Sequence, residues 1–139
     1  MVFIGALQSG ADFIVDGLLS GTNGESNAGA DTLTDPLSSD YNVFYGGRGM
    51  DVLTGGSASE VFLGGADNDS ISGGAGADSL VGGLGFDTLV GGDGDDTLRG
   101  GDQADTLLGE DGNDYLSGGK GLTRWLAPTA TTPSMVTQA

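Results

Sequence analysis

Aspartate recurs every nine residues through the middle of this chain. Seven positions of the series carry it, with Glu60 replacing it once and Thr123 ending the series. The seven are Asp51, Asp69, Asp78, Asp87, Asp96, Asp105 and Asp114. Carboxylates at fixed spacing can serve as general acids and bases, or as oxygen ligands for hard cations.

The composition favours the second kind of chemistry. The 139 residues include no histidine and no cysteine, which excludes an imidazole base, a thiol nucleophile and thiolate metal sites. Acidic residues outnumber basic ones 20 to 4, for a net charge of −16. Such a chain repels nucleic acid and anionic membrane surfaces, so its natural counter-charge is a cation.

The aspartates belong to a nine-residue repeat. From Gly46 to Leu126 the chain divides without a gap into nine blocks, of which GGAGADSLV and GGLGFDTLV are typical. Eight blocks begin with Gly-Gly, and aspartate is the sixth residue. Position eight is always large and apolar: Leu53, Phe62, Ile71, Leu80, Leu89, Leu98, Leu107, Leu116 and Trp125. A fixed short period of this kind predicts a solenoid.

The glycine pairs determine which element each block forms. Two glycines in every nine residues disfavour a helix, whereas they permit the positive φ angles of tight turns. We therefore expect a six-residue turn and a three-residue strand in each block, with only position eight pointing inward. Because so short a strand is unstable alone, the strands must stack in parallel, two blocks to a coil. The fold class predicted is an all-β parallel β-roll.

Stacking places carboxylates above one another. Blocks two apart would align, giving one column with Asp51, Asp69, Asp87 and Asp105 and another with Glu60, Asp78, Asp96 and Asp114. Like charges at the strand spacing of about 4.8 Å repel unless a cation lies between them. Several Ca²⁺ ions suit this arrangement better than Mg²⁺, because Ca²⁺ accepts a flexible cage of carboxylate and carbonyl oxygens.

The motif GGxGxDxUx, where U is large and apolar, resembles the RTX, or haemolysin-type, calcium-binding nonapeptide family. The resemblance implies a right-handed roll that holds Ca²⁺ between successive turns through the position-six aspartates and loop carbonyls. It also implies a bacterial protein that a type I secretion apparatus exports unfolded and that folds on extracellular calcium. The loop glycines expected to contribute carbonyls are Gly47, Gly49, Gly65, Gly74, Gly76, Gly83, Gly85, Gly92, Gly94 and Gly112.

The candidate sites differ in quality. The pairs Asp78/Asp96 and Asp96/Asp114 should be the best, since their turns keep glycine at position four. Asp67 is tolerable at that position because aspartate accepts left-handed geometry. Gln103 is less favourable there. Weaker still are the two pairs in which Glu60 or Thr123 replaces an aspartate.

Three segments are predicted: degenerate N-terminal turns over 1–45, nine repeats over 46–126, and a disordered tail over 127–139. The function predicted is multisite calcium binding coupled to folding, without catalysis and without a membrane-spanning segment, in a secreted or cell-surface protein. The alternative is an adhesive or ice-binding solenoid that uses calcium for rigidity. That alternative depends on outward hydroxyl residues at position seven, such as Ser70, Thr88 and Thr106.

Overall fold

The computed structural model describes residues 12–15, 29–34, 41–121, 123–126 and 135–137. Every regular element within them is a β-strand, which confirms the predicted all-β class. The strands are β1 (Asp12–Val15), β2 (Thr32–Thr34), β3 (Asn42–Arg48), β4 (Val52–Thr54), β5 (Val61–Ala66), β6 (Ser70–Ala75), β7 (Ser79–Leu84), β8 (Thr88–Asp93), β9 (Thr97–Asp102), β10 (Thr106–Asp111), β11 (Tyr115–Lys120), β12 (Arg124–Leu126) and β13 (Met135–Thr137).

The strands form two parallel sheets, and consecutive strands alternate between them. One sheet has the order β1-β3-β5-β7-β9-β11-β13 and the other β12-β10-β8-β6-β4-β2. Leu89 pairs with Ile71 on one side and with Leu107 on the other, so the register advances by two blocks per coil. This topology confirms the predicted parallel β-roll.

Most strands are longer than the three residues predicted. In β8 the ladder continues past Val90 through the glycine pair, and Gly92 pairs with Gly74 of the preceding coil. The expected six-residue turn is thereby reduced to three residues in these blocks. The reason is that glycine can stay in the ladder even at positive φ, because it has no side chain to keep the neighbouring coil away. Among the described strands, only β4 stops after three residues before such a pair, at Thr54.

The core is a single column of position-eight side chains between the sheets. Its buried members are Leu33, Phe44, Leu53, Phe62, Ile71, Leu80, Leu89, Leu98, Leu107 and Leu116. Phe44 and Phe62 stack with their ring centroids 4.7 Å apart. Position eight is not the only one facing inward, because the aspartate at position six and the glycine at position one are buried as well. The β period of two places all three on the same face.

Both ends of the chain add strands to the ladders. β1, β2 and β3 extend the two sheets before the first full block, and Ile14 pairs with Phe44. At the other end β13 pairs in parallel with β11. The expected disorder over 127–139 is therefore wrong for Met135–Thr137, since the uncovered edge of β11 offers backbone partners to any following segment. The rest of the tail lies outside the described residues, and the segment boundaries stay predictions.

The thin core makes position eight sensitive to truncation. We expect Leu89→Ala to lower the free energy of unfolding by about 2–5 kcal/mol, because it leaves a cavity that the stacked coils cannot fill. The adjacent Thr88 side chain is exposed, so Thr88→Ala should change stability by less than about 0.5 kcal/mol. Urea unfolding in saturating calcium measures both variants, and equal losses would contradict the described core.

Candidate metal centre

The position-six residues form two continuous columns, one beside each row of turns. The first contains Asp31, Asp51, Asp69, Asp87 and Asp105, and the second Asn42, Glu60, Asp78, Asp96 and Asp114. All ten are buried, with at most 6% of their surface exposed. Sequence spacing predicted eight of these members, whereas Asp31 and Asn42 extend the columns toward the N-terminus. It did not predict that the side chains are turned into the roll.

One carboxylate oxygen of each column aspartate from Asp51 to Asp114 joins two coils. The backbone N–H of Asp78 donates to Oδ1 of Asp96 at 2.8 Å, and the N–H of Asp96 donates to Oδ1 of Asp114 at 3.0 Å. The same bond recurs down the first column, for example from Asp69 to Asp87 at 2.9 Å. Each column is therefore a chain of backbone-to-carboxylate hydrogen bonds.

The second carboxylate oxygen is buried without a hydrogen-bond partner in six of these aspartates, as far as the described residues extend. The six are Asp69, Asp78, Asp87, Asp96, Asp105 and Asp114. In Asp96 this Oδ2 lies against Gly91, where a Cβ atom would collide with it and would come within 2.8 Å of the Gly109 carbonyl. Glycine at position one thus keeps open a space into which a carboxylate oxygen and a carbonyl of the next coil both point.

Burial opposes ionisation of these carboxylates. Desolvation raises the pKa of Asp69 and of Asp96 to about 7, and that of Asp105 to about 6, although the backbone hydrogen bond to each lowers it. For Asp69 the charges of Asp51 and Asp87 raise it further. The pKa values of Asp78, Asp87 and Asp114 are raised for the same primary reason. Bare carboxylates in these columns are therefore costly at neutral pH.

The glycines predicted to supply carbonyls all adopt the left-handed conformation. The ten are Gly47, Gly49, Gly65, Gly74, Gly76, Gly83, Gly85, Gly92, Gly94 and Gly112, with φ between 108° and 141°. A Cβ on Gly92 would strike the Gly74 carbonyl oxygen, and one on Gly94 would strike that of Gly76. Carbonyl oxygens of positions two and four therefore face the next coil, alongside the carboxylate columns.

A family model for the RTX calcium-binding nonapeptide repeat, in four copies, matches residues 38–59, 54–89 and 90–121. These matches span more than half of the chain. The chain belongs to this family. Neither a curated protein nor a solved structure matches it. The part of the chain that the structure describes contains no helix long and apolar enough to cross a membrane.

The donor set of this RTX roll suits a hard cation. Every candidate ligand is an oxygen, from a carboxylate or from the backbone. Within the described ranges no three acidic side chains converge, so an ion between coils would draw on carboxylates of successive turns and complete its shell with carbonyls. Ca²⁺ tolerates such a mixed and flexible shell, whereas Mg²⁺ requires near-octahedral geometry.

Three non-glycine residues of the described ranges also adopt positive φ, namely Asp67, Gln103 and Glu110. The first two stand at position four, where the sequence analysis judged aspartate tolerable and glutamine less favourable; Glu110, at position two of its block, was not predicted. Gln103 compensates with its side chain, whose Oε1 accepts the N–H of Gly85 at 3.0 Å. In a neighbouring turn the N–H of Gly94 donates instead to a backbone carbonyl, that of Asp111, at 2.7 Å.

Position five contains a further set of contacts that the sequence analysis did not identify. Ser59, Asn68 and Asp95 each accept the backbone N–H of the residue eighteen places later, at 2.9 to 3.0 Å. These bonds connect neighbouring coils without metal. The available signal was the presence of small polar acceptors at position five, because such side chains readily bond nearby backbone.

The raised pKa values predict that acidification stabilises the metal-free roll. A buried carboxyl with a pKa near 7 binds a proton in the folded state that the unfolded chain, with a pKa near 3.8, releases. The free-energy cost of burying these carboxylates is therefore largest above pH 7, where they must ionise, and disappears as the pH falls toward 4. We expect more β-structure at pH 5.5 than at pH 8 in metal-free buffer, measured by circular dichroism.

Calcium should reverse this dependence, because protons compete with the ion for the same oxygens. Titrations at the two pH values should give a weaker calcium affinity at pH 5.5. Asp96→Asn supplies the control, since it removes one titrating carboxyl and should reduce the pH effect on the metal-free chain. A metal-free roll that loses β-structure on acidification would refute the assignment.

Proposed function

We propose that this chain is a multisite calcium-binding roll whose folding is driven by Ca²⁺. The observation that carries the proposal is the set of six buried carboxylate oxygens without a partner, each directed into a space kept open by glycine. A divalent cation would supply the missing charge and coordination at each of them. The membership of the RTX family supports calcium as that cation.

The ligands proposed are the position-six aspartates and the loop carbonyls of consecutive coils. Asp96 has a central place, because its backbone N–H bonds to Asp114 while its own Oδ1 accepts the N–H of Asp78. An ion on either side of this coil would therefore involve the same side chain. When bound, the ions cancel repulsion between coils and hold the turns in register.

The energetics favour coupling of binding to folding. Each block adds one large apolar side chain to the core, and so little burial does not offset a backbone entropy cost of about 1–2 kcal/mol per residue. Buried carboxylates add a further penalty. Each bound ion removes that penalty from two neighbouring coils, so calcium binding should be cooperative. The free energy of calcium binding should then appear as free energy of folding.

The compartment proposed is extracellular, by analogy with the family and with export through a type I secretion apparatus. Extracellular calcium modules bind at about 10⁻⁴–10⁻³ M, which would leave the chain unfolded in the cytosol and folded outside. We propose no catalytic role for the chain, since its buried carboxylates are already engaged between coils. A panel of polysaccharide hydrolysis assays tests that exclusion.

The switch itself is testable by spectroscopy. We expect circular dichroism to report coil in EDTA at pH 7.5 and β-structure in millimolar Ca²⁺, with Mg²⁺ a poor substitute because its shell is too rigid. The transition should be steep in calcium concentration, because the ions bind cooperatively. A complete β spectrum in EDTA would disprove calcium-driven folding.

The central position of Asp96 predicts a double loss. Asp96→Ala should weaken the binding affinity of two calcium ions by about tenfold or more, since each ion loses a charged ligand. Isothermal titration calorimetry should then count two fewer high-affinity ions per chain. Asp93→Ala removes the same charge from an exposed position of the same turn and should leave the count unchanged. Equal effects of the two variants would mean that net charge, and not the column, controls binding.

A further inference from the structure

One turn exposes a pair of large apolar side chains that the fold does not use. Leu84 and Phe86 are 52% and 62% exposed, on either side of the buried Gly85. They stand at positions three and five of their block, which alone among the nine has large apolar residues at both positions. Neither side chain contributes to the core column, so their exposure calls for another explanation.

The pair lines a groove of ≈ 250 Å³ on the turn edge of the roll. Asp67 of the preceding coil and Gln103 of the following coil form its other walls. The groove thus spans three consecutive coils on one edge, and combines an apolar surface with the carboxylate of Asp67 and the side-chain amides of Asn68 and Gln103.

Side-chain hydrogen bonds fix the groove without metal. The N–H of Phe86 donates to Oδ1 of Asn68 at 2.9 Å, and the N–H of Gly85 donates to Oε1 of Gln103 at 3.0 Å. Asp67 and Gln103 adopt positive φ at the position where most blocks have glycine. Strained non-glycine residues concentrate at ligand-binding clamps. Of the three in the described residues, Asp67 and Gln103 line the groove and Glu110 does not.

We propose that this groove binds a peptide segment in which a large apolar side chain lies beside a lysine or arginine. The apolar side chain would cover Leu84 and Phe86, and the cation would pair with the exposed carboxylate of Asp67. This inference goes beyond the proposed function, because it depends on the folded roll and not on how that fold is reached.

A second copy of this chain is a poorer occupant. Along this edge the charged residues run in the order Arg48, Asp67, the groove, Asp102 and Lys120. Two copies related by a two-fold axis at the groove would place like charges opposite each other in either direction. A parallel arrangement opposes each residue to itself, and an antiparallel one opposes Asp67 to Asp102 and Arg48 to Lys120.

The test is an NMR titration of the full chain, folded in saturating calcium. The probe is the blocked pentapeptide Gly-Lys-Leu-Lys-Gly, compared with versions carrying glutamate for lysine or glycine for leucine. We expect the lysine–leucine peptide to shift the amides of residues 66–68, 84–86 and 103. Phe86→Ala should weaken binding roughly fivefold or more, as loss of an aromatic anchor does.

Two further variants separate the contribution of the Asp67 charge from that of exposed apolar surface in general. Asp67→Asn should weaken the lysine–leucine peptide and reduce the salt dependence of its binding, because it removes the local carboxylate. Met50→Ala truncates another exposed apolar side chain, on the same edge but outside the groove, and should change nothing.

Several results would overturn the proposal. The first two are that millimolar peptide does not shift the groove amides, or that it mainly shifts amides elsewhere. A third is that the glutamate peptide binds equally well. A fourth is that the groove amides shift with protein concentration in the absence of peptide, which would reveal self-association. If the chain proves to be folded in EDTA, calcium-driven folding is refuted. The peptide titration can still be carried out on that folded chain, so it tests the groove separately.

Discussion

The roll is organised around a carboxylate that each turn places inside the protein. Oδ1 of that carboxylate accepts a backbone N–H from the preceding coil, which fixes the register between coils, as between Asp96 and Asp78. Oδ2 is left in a dry, anionic environment. The same group therefore positions the coils and opposes their stacking at neutral pH, so the fold depends on what neutralises it.

Glycine serves this arrangement in two physically different ways. At position one, as in Gly91, the backbone is extended and the missing Cβ gives room to the carboxylate of Asp96. At positions two and four, as in Gly92 and Gly94, φ is positive and the missing Cβ gives room to a carbonyl of the preceding coil. Position four tolerates replacement when a side chain compensates, which Gln103 does through its bond to Gly85.

Much of this architecture could be predicted from the sequence, because a nine-residue period admits few solutions. Leu89 and Asp87 recur in phase with glycine, and parallel stacking then dictates both the core column and the carboxylate columns. The strand length could not be predicted in this way, since the pairing of Gly74 with Gly92 depends on backbone packing and not on β-propensity. Pairing of Met135–Thr137 with β11 depends on an open edge, which the composition of the tail does not reveal.

Alternation between edges explains how one repeated motif produces two different surfaces. Because successive blocks enter opposite sheets, all odd-numbered blocks place their turns on one edge and all even-numbered blocks on the other. Substitutions at positions three and five therefore accumulate separately on each edge. One edge displays Asp93, Asp95 and Asp111, whereas the other displays Leu84 and Phe86. The buried positions diverge far less, with Asn42 and Glu60 as the buried replacements for aspartate, since each coil must stack its position-six, glycine and apolar residues on those of its neighbours.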